Sequence, residues 1–171
     1  MKKRYLTRIL AAMMIACLAF CIAVSATGSD SENYIRFVET DPDSRMKSNG
    51  DFTFEFSFSC PSQEFTADGT SITICTSAKV TSPLWDDDEE RTSDDLFTLT
   101  LYKKSGIFTT EVGKYTGAAD GVYGGKKFTN ITKGATYYFQ LDPVDSNFQN
   151  GSKRFKGYGN VSNVTVINPT N

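Results

Sequence analysis

The chain has 171 residues, of which 18 are basic and 20 are acidic, and its formal net charge is −2. It contains no histidine, so the commonest general base and the commonest metal ligand among side chains are absent. The mild negative charge disfavours nucleic acid as a partner, because phosphates attract clustered lysine and arginine. Length and composition are those of a single domain without histidine-dependent catalysis.

Residues 1–26 have the three parts of a cleavable export signal. Four basic residues lie within the first eight positions, and an almost wholly apolar run follows over 9–24. Val24 and Ala26 then place short side chains where a signal peptidase inspects the chain. We expect cleavage after Ala26 and secretion from a cell of bacterial type.

A retained membrane anchor and a lipoprotein are the alternatives to cleavage. The apolar run is shorter than the ~20 residues that span a bilayer as a helix, and Phe20 is bulky for the position before a lipidated Cys21. Cleavage would also remove Cys17 and leave fourteen basic against twenty acidic residues, a net charge of −6. The expected product has no membrane anchor, and its oligomeric state is open.

The rest of the chain divides into a polar segment and a β-patterned domain. Residues 27–50 are predicted to be a flexible N-terminal segment with an edge strand at 34–39. Residues 51–168 are predicted to form the domain, because apolar residues alternate with polar ones in period two. Predicted strands cover 52–58, 70–80, 96–102, 107–115, 121–128, 135–141 and 158–167.

This pattern predicts an all-β fold. No segment after residue 26 has a helical apolar stripe, and turn signals recur about every ten residues. Phe52, Phe54, Phe56 and Phe58 occupy one face of the first strand, which is typical of a strand packed on one side. Seven or eight short antiparallel strands predict a β-sandwich.

Two cysteines, Cys60 and Cys75, lie in the predicted domain. In an exported protein such a pair predicts a disulfide, and closing a loop of about 15 residues stabilises by ~3 kcal/mol in the chain-entropy model. However, Cys60 continues the phenylalanine face, whereas Cys75 faces away from Ile72 and Ile74. The bridge therefore requires a bulge or a bend, and the alternative is two free thiols.

The segment 131–141 has an apolar residue, then Gly134, then Tyr137 at the start of an alternating strand. This spacing resembles the tyrosine corner of fibronectin type III and related immunoglobulin-like sandwiches. The resemblance covers about eleven residues and implies an immunoglobulin-like sandwich. In it, the Tyr137 hydroxyl would bond to backbone just upstream and pin a connection between the two sheets.

A run of acidic residues interrupts the strand pattern and predicts a loop. Clustered carboxylates suit Ca²⁺, which takes six to eight oxygen ligands, although the spacing matches no EF-hand. The solvated acidic loop is the other interpretation. The candidate calcium ligands are Asp86, Asp87, Asp88, Glu89, Glu90, Asp94 and Asp95; no other cofactor is expected.

Aromatic residues in or near loops are candidates for stacking on a sugar ring. The foremost are Trp85, Tyr123 and Tyr158; the alternative is that such rings pack on the rim of the core. The leading hypothesis is a secreted, non-catalytic binding module for an extracellular protein or glycan. A carbohydrate-binding module and a secreted toxin or bacteriocin-like effector are the alternatives, and a small hydrolase is disfavoured because no histidine-based triad can form.

Overall fold

The computed structural model of the chain describes residues 33–38, 50–82, 89–145, 148 and 152–166. Within these ranges the regular structure is β-strand, and no helix has the length and apolar composition needed to cross a membrane. The expected signal peptide lies outside the described residues. The strands are β1 (Tyr34–Phe37), β2 (Asp51–Phe56), β3 (Cys60–Pro61), β4 (Phe65–Ala67), β5 (Ile72–Thr81), β6 (Leu96–Ser105), β7 (Phe108–Ala118), β8 (Gly124–Phe128), β9 (Thr136–Pro143), β10 (Arg154–Ser162) and β11 (Val164–Val166).

These strands form two antiparallel sheets. The first sheet has the order β1-β2-β10-β5-β8, and the second has the order β11-β4-β9-β6-β7, with β3 also paired to β9. All the pairings are antiparallel, and β1 lies at an edge of the first sheet, where the sequence predicts an edge strand. The expected all-β sandwich is therefore present. Strands that are far apart in sequence lie next to one another in each sheet.

The sheets pack through their alternating apolar faces. Phe97, Leu99 and Leu101 of β6 are buried at 1 % exposure or less, as period-two patterning requires. Phe139 of β9 contacts Phe52 of β2, with ring centroids 4.9 Å apart. Positions that alternate with the core residues are mostly polar, as Thr73 and Lys79 on β5 and Lys156 on β10 illustrate.

The described residues contain eleven strands rather than seven or eight. One reason is that the segment 60–67, for which no strand was predicted, forms the two short strands β3 and β4 along β9. Another is Asn163, which has φ 62° and separates β10 from β11. Asparagine tolerates this left-handed conformation better than most residues.

The predicted inward position of Phe58 is wrong. Strand β2 ends at Phe56, and the chain bends through Ser57 before Phe58. The bend turns the Phe58 ring out of the core, so that 46 % of its surface is exposed. The first three phenylalanines of the series remain buried.

The connection from β8 to β9 passes from one sheet to the other and contains the segment that resembles a tyrosine corner. The Tyr137 hydroxyl accepts a hydrogen bond from the Thr132 backbone N–H at 2.9 Å. The Tyr137 side chain is buried, and Gly134 has φ 80° in the turn between these residues. This bond satisfies a buried hydroxyl and holds the crossing segment against the core.

Candidate functional site

Two exposed tyrosines lie together on the outer face of the first sheet. The rings of Tyr123 and Tyr158 are nearly parallel, at 19°, with centroids 6.0 Å apart. Their exposed fractions are 50 % and 57 %. Tyr158 points outward because its neighbours in alternation on β10, including Phe155 and Val161, are buried in the core. We call these two residues the tyrosine pair.

Backbone and side-chain bonds hold the loop that carries Tyr123 against the sheet. The Gly121 N–H donates to the Ala78 carbonyl at 2.9 Å, and Ser77 Oγ donates to the Gly121 carbonyl at 2.8 Å. Gly121 has φ 76°, a conformation that favours glycine. Tyr123 therefore has a defined position above β5.

Polar side chains border the tyrosine pair in the neighbouring row of the sheet. Strand register places Asn160 between Asp51 and Cys75, and Asn160 Nδ2 donates to Asp51 Oδ1 at 2.7 Å. Burial, followed by the Cys75 and Asp51 side chains, raises the pKa of Tyr123 above its usual value. The rings thus adjoin a carboxylate and an amide, which together accept and donate hydrogen bonds.

Two ion pairs occupy the same outer face. Arg154 Nη1 lies 3.0 Å from Glu55 Oε1, and Lys156 Nζ lies 3.1 Å from Glu90 Oε1. The hydrogen bond to Glu90 raises the pKa of Lys156. Each of these pairs places opposite charges next to one another on the face that carries the tyrosine pair.

The acidic run is only partly described. Trp85 and Asp86–Asp88 lie outside the described residues, so their stacking and calcium roles stay predictions. Glu89 pairs with Arg91 at 3.1 Å, and Glu90 pairs with Lys156, as noted above. Among the described residues, no three histidine, cysteine, aspartate or glutamate side chains converge as a metal site.

The remaining two candidate calcium ligands, Asp94 and Asp95, have different surroundings. Asp95 Oδ2 lies 3.0 Å from Lys153 Nζ and accepts a hydrogen bond from Ser93 Oγ at 2.6 Å. Asp94 lines an open cavity of about 290 Å³ together with Asp120. Lysine and arginine therefore already neutralise several of the described carboxylates of the run.

The predicted disulfide is not formed: Cys60 and Cys75 are both free thiols. Cys60 is buried in β3 of the second sheet and pairs in register with Leu141. Cys75 lies on β5 of the first sheet, at a position that alternates with the buried Ile74. The two thiols face different environments because one points to the core and the other to the outer surface.

We expect the two thiols to differ in reactivity. Burial, with a smaller effect from Asp142, raises the pKa of the Cys60 thiol to about 11, whereas Cys75 is only partly buried. Iodoacetamide at pH 8 should alkylate Cys75 in the folded protein, because the thiolate is the nucleophile, and should reach Cys60 only after denaturation. Peptide mass mapping measures both; equal labelling of the folded protein, or a peptide that links Cys60 to Cys75, would contradict this.

Sequence reasoning missed a second group of residues. A cleft of about 500 Å³ is lined by Ser57, Phe58, Ser59, Asp142 and Pro143. The sequence carried no clear signal for the end of β2 at Phe56, because the alternation continues to Phe58 and Pro61 itself pairs with Gln140 in β3. No local pattern links this segment to Asp142, which is brought there by β9.

No family model matches the chain, and no curated protein matches it. Solved structures with some similarity include a family two carbohydrate esterase from Cellvibrio japonicus, with a TM-score of 0.34 and 9 % identity over 82 % of this chain and 34 % of the esterase. A structure described as CBM4 has a TM-score of 0.32 and 12 % identity, over 71 % of this chain and 87 % of that one. A structure of infectious bursal disease virus, Gx strain, has a TM-score of 0.34 and 12 % identity, over 86 % of this chain and 38 % of that one. This chain thus spans about a third of the esterase, and no family or activity follows for it from similarities this low.

Proposed function

We propose that the chain is a secreted, non-catalytic module that binds glycan through Tyr123 and Tyr158. The observation that carries the proposal is the nearly parallel, exposed arrangement of these two rings on a polar sheet face. A pyranose ring has an apolar C–H face that can cover an aromatic ring, while its hydroxyl groups need polar partners at the edge. In this proposal the polar partners are Asp51 and Asn160, which pair in register beside Tyr158 and hydrogen-bond to each other.

The position of the rings favours binding over a role in folding. An exposed aromatic residue that only filled the core rim would be expected to lose most of its surface to neighbours, whereas about half of each ring here faces solvent. The tyrosine side chain has few rotatable bonds, so ordering it on a ligand costs little conformational entropy. The anchored loop at Gly121 lowers that cost further.

Two further features belong to this proposal. The extracellular location is supported by the pattern in residues 1–26 that predicts an export signal, and the absence of histidine from the chain supports a non-catalytic role. The immunoglobulin-like type of the sandwich is supported by the hydrogen bond between Tyr137 and Thr132.

We expect Tyr158→Ala to weaken glycan binding at least about tenfold, which corresponds to ~1.4 kcal/mol. Tyr123→Ala should act in the same direction, because each change removes one ring of the pair. The measurement is retardation in native gels that contain soluble polysaccharides, together with pull-down on insoluble ones, to select a ligand for titration calorimetry.

The second sheet offers a matched control. Tyr102 and Tyr138 also stack, with centroids 5.1 Å apart and an angle of 17°, but they lie on strands of the other sheet. Tyr138→Ala should therefore leave glycan binding unchanged. Failure of the unaltered protein to bind any polysaccharide, or full binding by a folded Tyr158→Ala variant, would overturn the proposed function.

A further inference from the structure

We infer that the cleft formed by Phe58 and Asp142 is a second binding site, separate from the tyrosine pair, and that it takes a protonated organic amine. The cleft volume of about 500 Å³ lies within the range of small-ligand sites, roughly 300–1,000 Å³. Its walls come from the bend after β2 and from the C-terminal end of β9. The tyrosine pair lies on the first sheet, whereas Asp142 belongs to the second.

The aromatic wall is a ring that the fold leaves outside the core. Phe58 continues the alternation of β2 in sequence, but the bend turns it outward and leaves 46 % of its surface exposed. The neighbouring Ser57 N–H donates to Asn33 Oδ1 at 2.7 Å, and Ser57 Oγ donates to the Lys153 carbonyl at 3.0 Å. These bonds hold the bend, so the position of Phe58 is defined before a ligand arrives.

The Asp142 carboxylate is oriented by neutral donors. Gln140 Nε2 donates to both carboxylate oxygens, at 3.0 and 3.1 Å, and to Ser59 Oγ at 2.8 Å. Ser59 Oγ in turn donates to Asp142 Oδ1. These contacts fix the side chain without cancelling its charge, and a pre-positioned group binds with a smaller entropic cost.

The charge of this carboxylate selects the ligand. None of the ion pairs between described residues includes Asp142. Lys153 is a nearby cation, since its backbone carbonyl accepts the hydrogen bond from Ser57 Oγ. Its ammonium group, however, forms an ion pair with Asp95. An ammonium group in the cleft could contact the Phe58 ring face and form a charge-assisted hydrogen bond to Asp142. A neutral ligand would leave the carboxylate without a counter-charge.

Three oligosaccharides with the same β-1,4 skeleton test the inference by titration calorimetry. In mildly acidic buffer chitosan tetraose carries protonated amines, whereas chitin tetraose carries acetylated ones and cellotetraose carries hydroxyl groups at the same ring position. Nα-acetyl-lysine is the fourth probe and distinguishes a peptide amine from an amino sugar. We expect an amine probe to bind, with at least a tenfold loss in Asp142→Asn and in Phe58→Ala, and with weakening as NaCl is raised to about 1 M because salt screens charge.

Matched controls separate this site from the proposed glycan site. Asp94→Asn alters an exposed carboxylate in another cavity, and Phe108→Ala removes a 72 % exposed ring elsewhere; neither should affect amine binding. The double variant Tyr123→Ala/Tyr158→Ala should retain it, so failure of one site is distinguishable from failure of the other. No binding of either amine probe, equal binding of cellotetraose at the cleft, or unaltered binding by a folded Asp142→Asn variant would overturn the inference.

Discussion

Phe139→Ala is expected to lower the free energy of unfolding by about 3–5 kcal/mol, the usual cost of emptying a buried phenylalanine site. Phe139 is fully buried. Its ring contacts Phe52 and Phe37 of the first sheet at centroid distances of 4.9 and 6.4 Å, and Phe65 of its own sheet at 6.4 Å. Removing it takes away packing between the two sheets as well as within one. A domain of this size has a total free energy of unfolding of about 5–15 kcal/mol, so Phe139→Ala would remove a large part of that stability.

Urea denaturation followed by far-ultraviolet circular dichroism measures this loss. Phe108→Ala is the matched control, because the same atoms are deleted from a ring that is 72 % exposed at the β6–β7 hairpin. It should change the unfolding free energy by less than about 0.5 kcal/mol. Equal effects of the two substitutions would show that Phe139 does not have the described packing.

Gly159→Ala should destabilise the domain by about 1–3 kcal/mol or more, the range for overpacking a filled core. A Cβ atom at Gly159 would lie 2.4 Å from the Cys75 carbonyl oxygen and 2.4 Å from Phe52 Cζ. Real Cβ atoms do not approach other atoms this closely, so either the β10–β5 ladder or the buried Phe52 ring must move. Glycine at this position lets the phenylalanine of the neighbouring strand extend beneath β10.

Gly69→Ala provides the control for the general effect of replacing glycine. A Cβ atom at Gly69 would have no neighbour closer than 3.8 Å, and alanine at a compatible position restricts the unfolded chain. We therefore expect Gly69→Ala to be neutral or slightly stabilising in the same urea experiment. A Gly159→Ala variant as stable as the unaltered protein would contradict the close packing of Phe52 against β10.

The strands were predictable wherever a short stretch of sequence determines which face is buried. The alternation at Phe97, Leu99 and Leu101 predicts a one-sided strand, and all three side chains are buried. The same reasoning is wrong for Phe58, because alternation continues in the sequence after the ladder with β10 has ended at Phe56. A pattern of period two indicates which residues can share a face, but not where pairing stops.

The proposed sites show the same division. Tyr123 and Tyr158 were candidates from their residue type and their position near loops, but they are 35 residues apart in the chain. Their proximity follows from the order of strands, since β8 and β10 both pair with β5. The cysteines show the converse: a cysteine pair in an exported chain predicts a bond, but Cys60 faces the core whereas Cys75 alternates with the buried Ile74 and faces outward, and both thiols are free.

The sequence by itself determined the all-β class, the main strands and the buried faces, because alternation is a local property of an extended chain. It also determined the charge balance and the lack of histidine-based chemistry. Only the tertiary structure decided which strands became neighbours, and therefore which side chains met on the outer faces. The tyrosine pair, the cleft at Asp142 and the free thiols depend on pairings between distant segments, which the hydrophobic packing of two whole sheets selects.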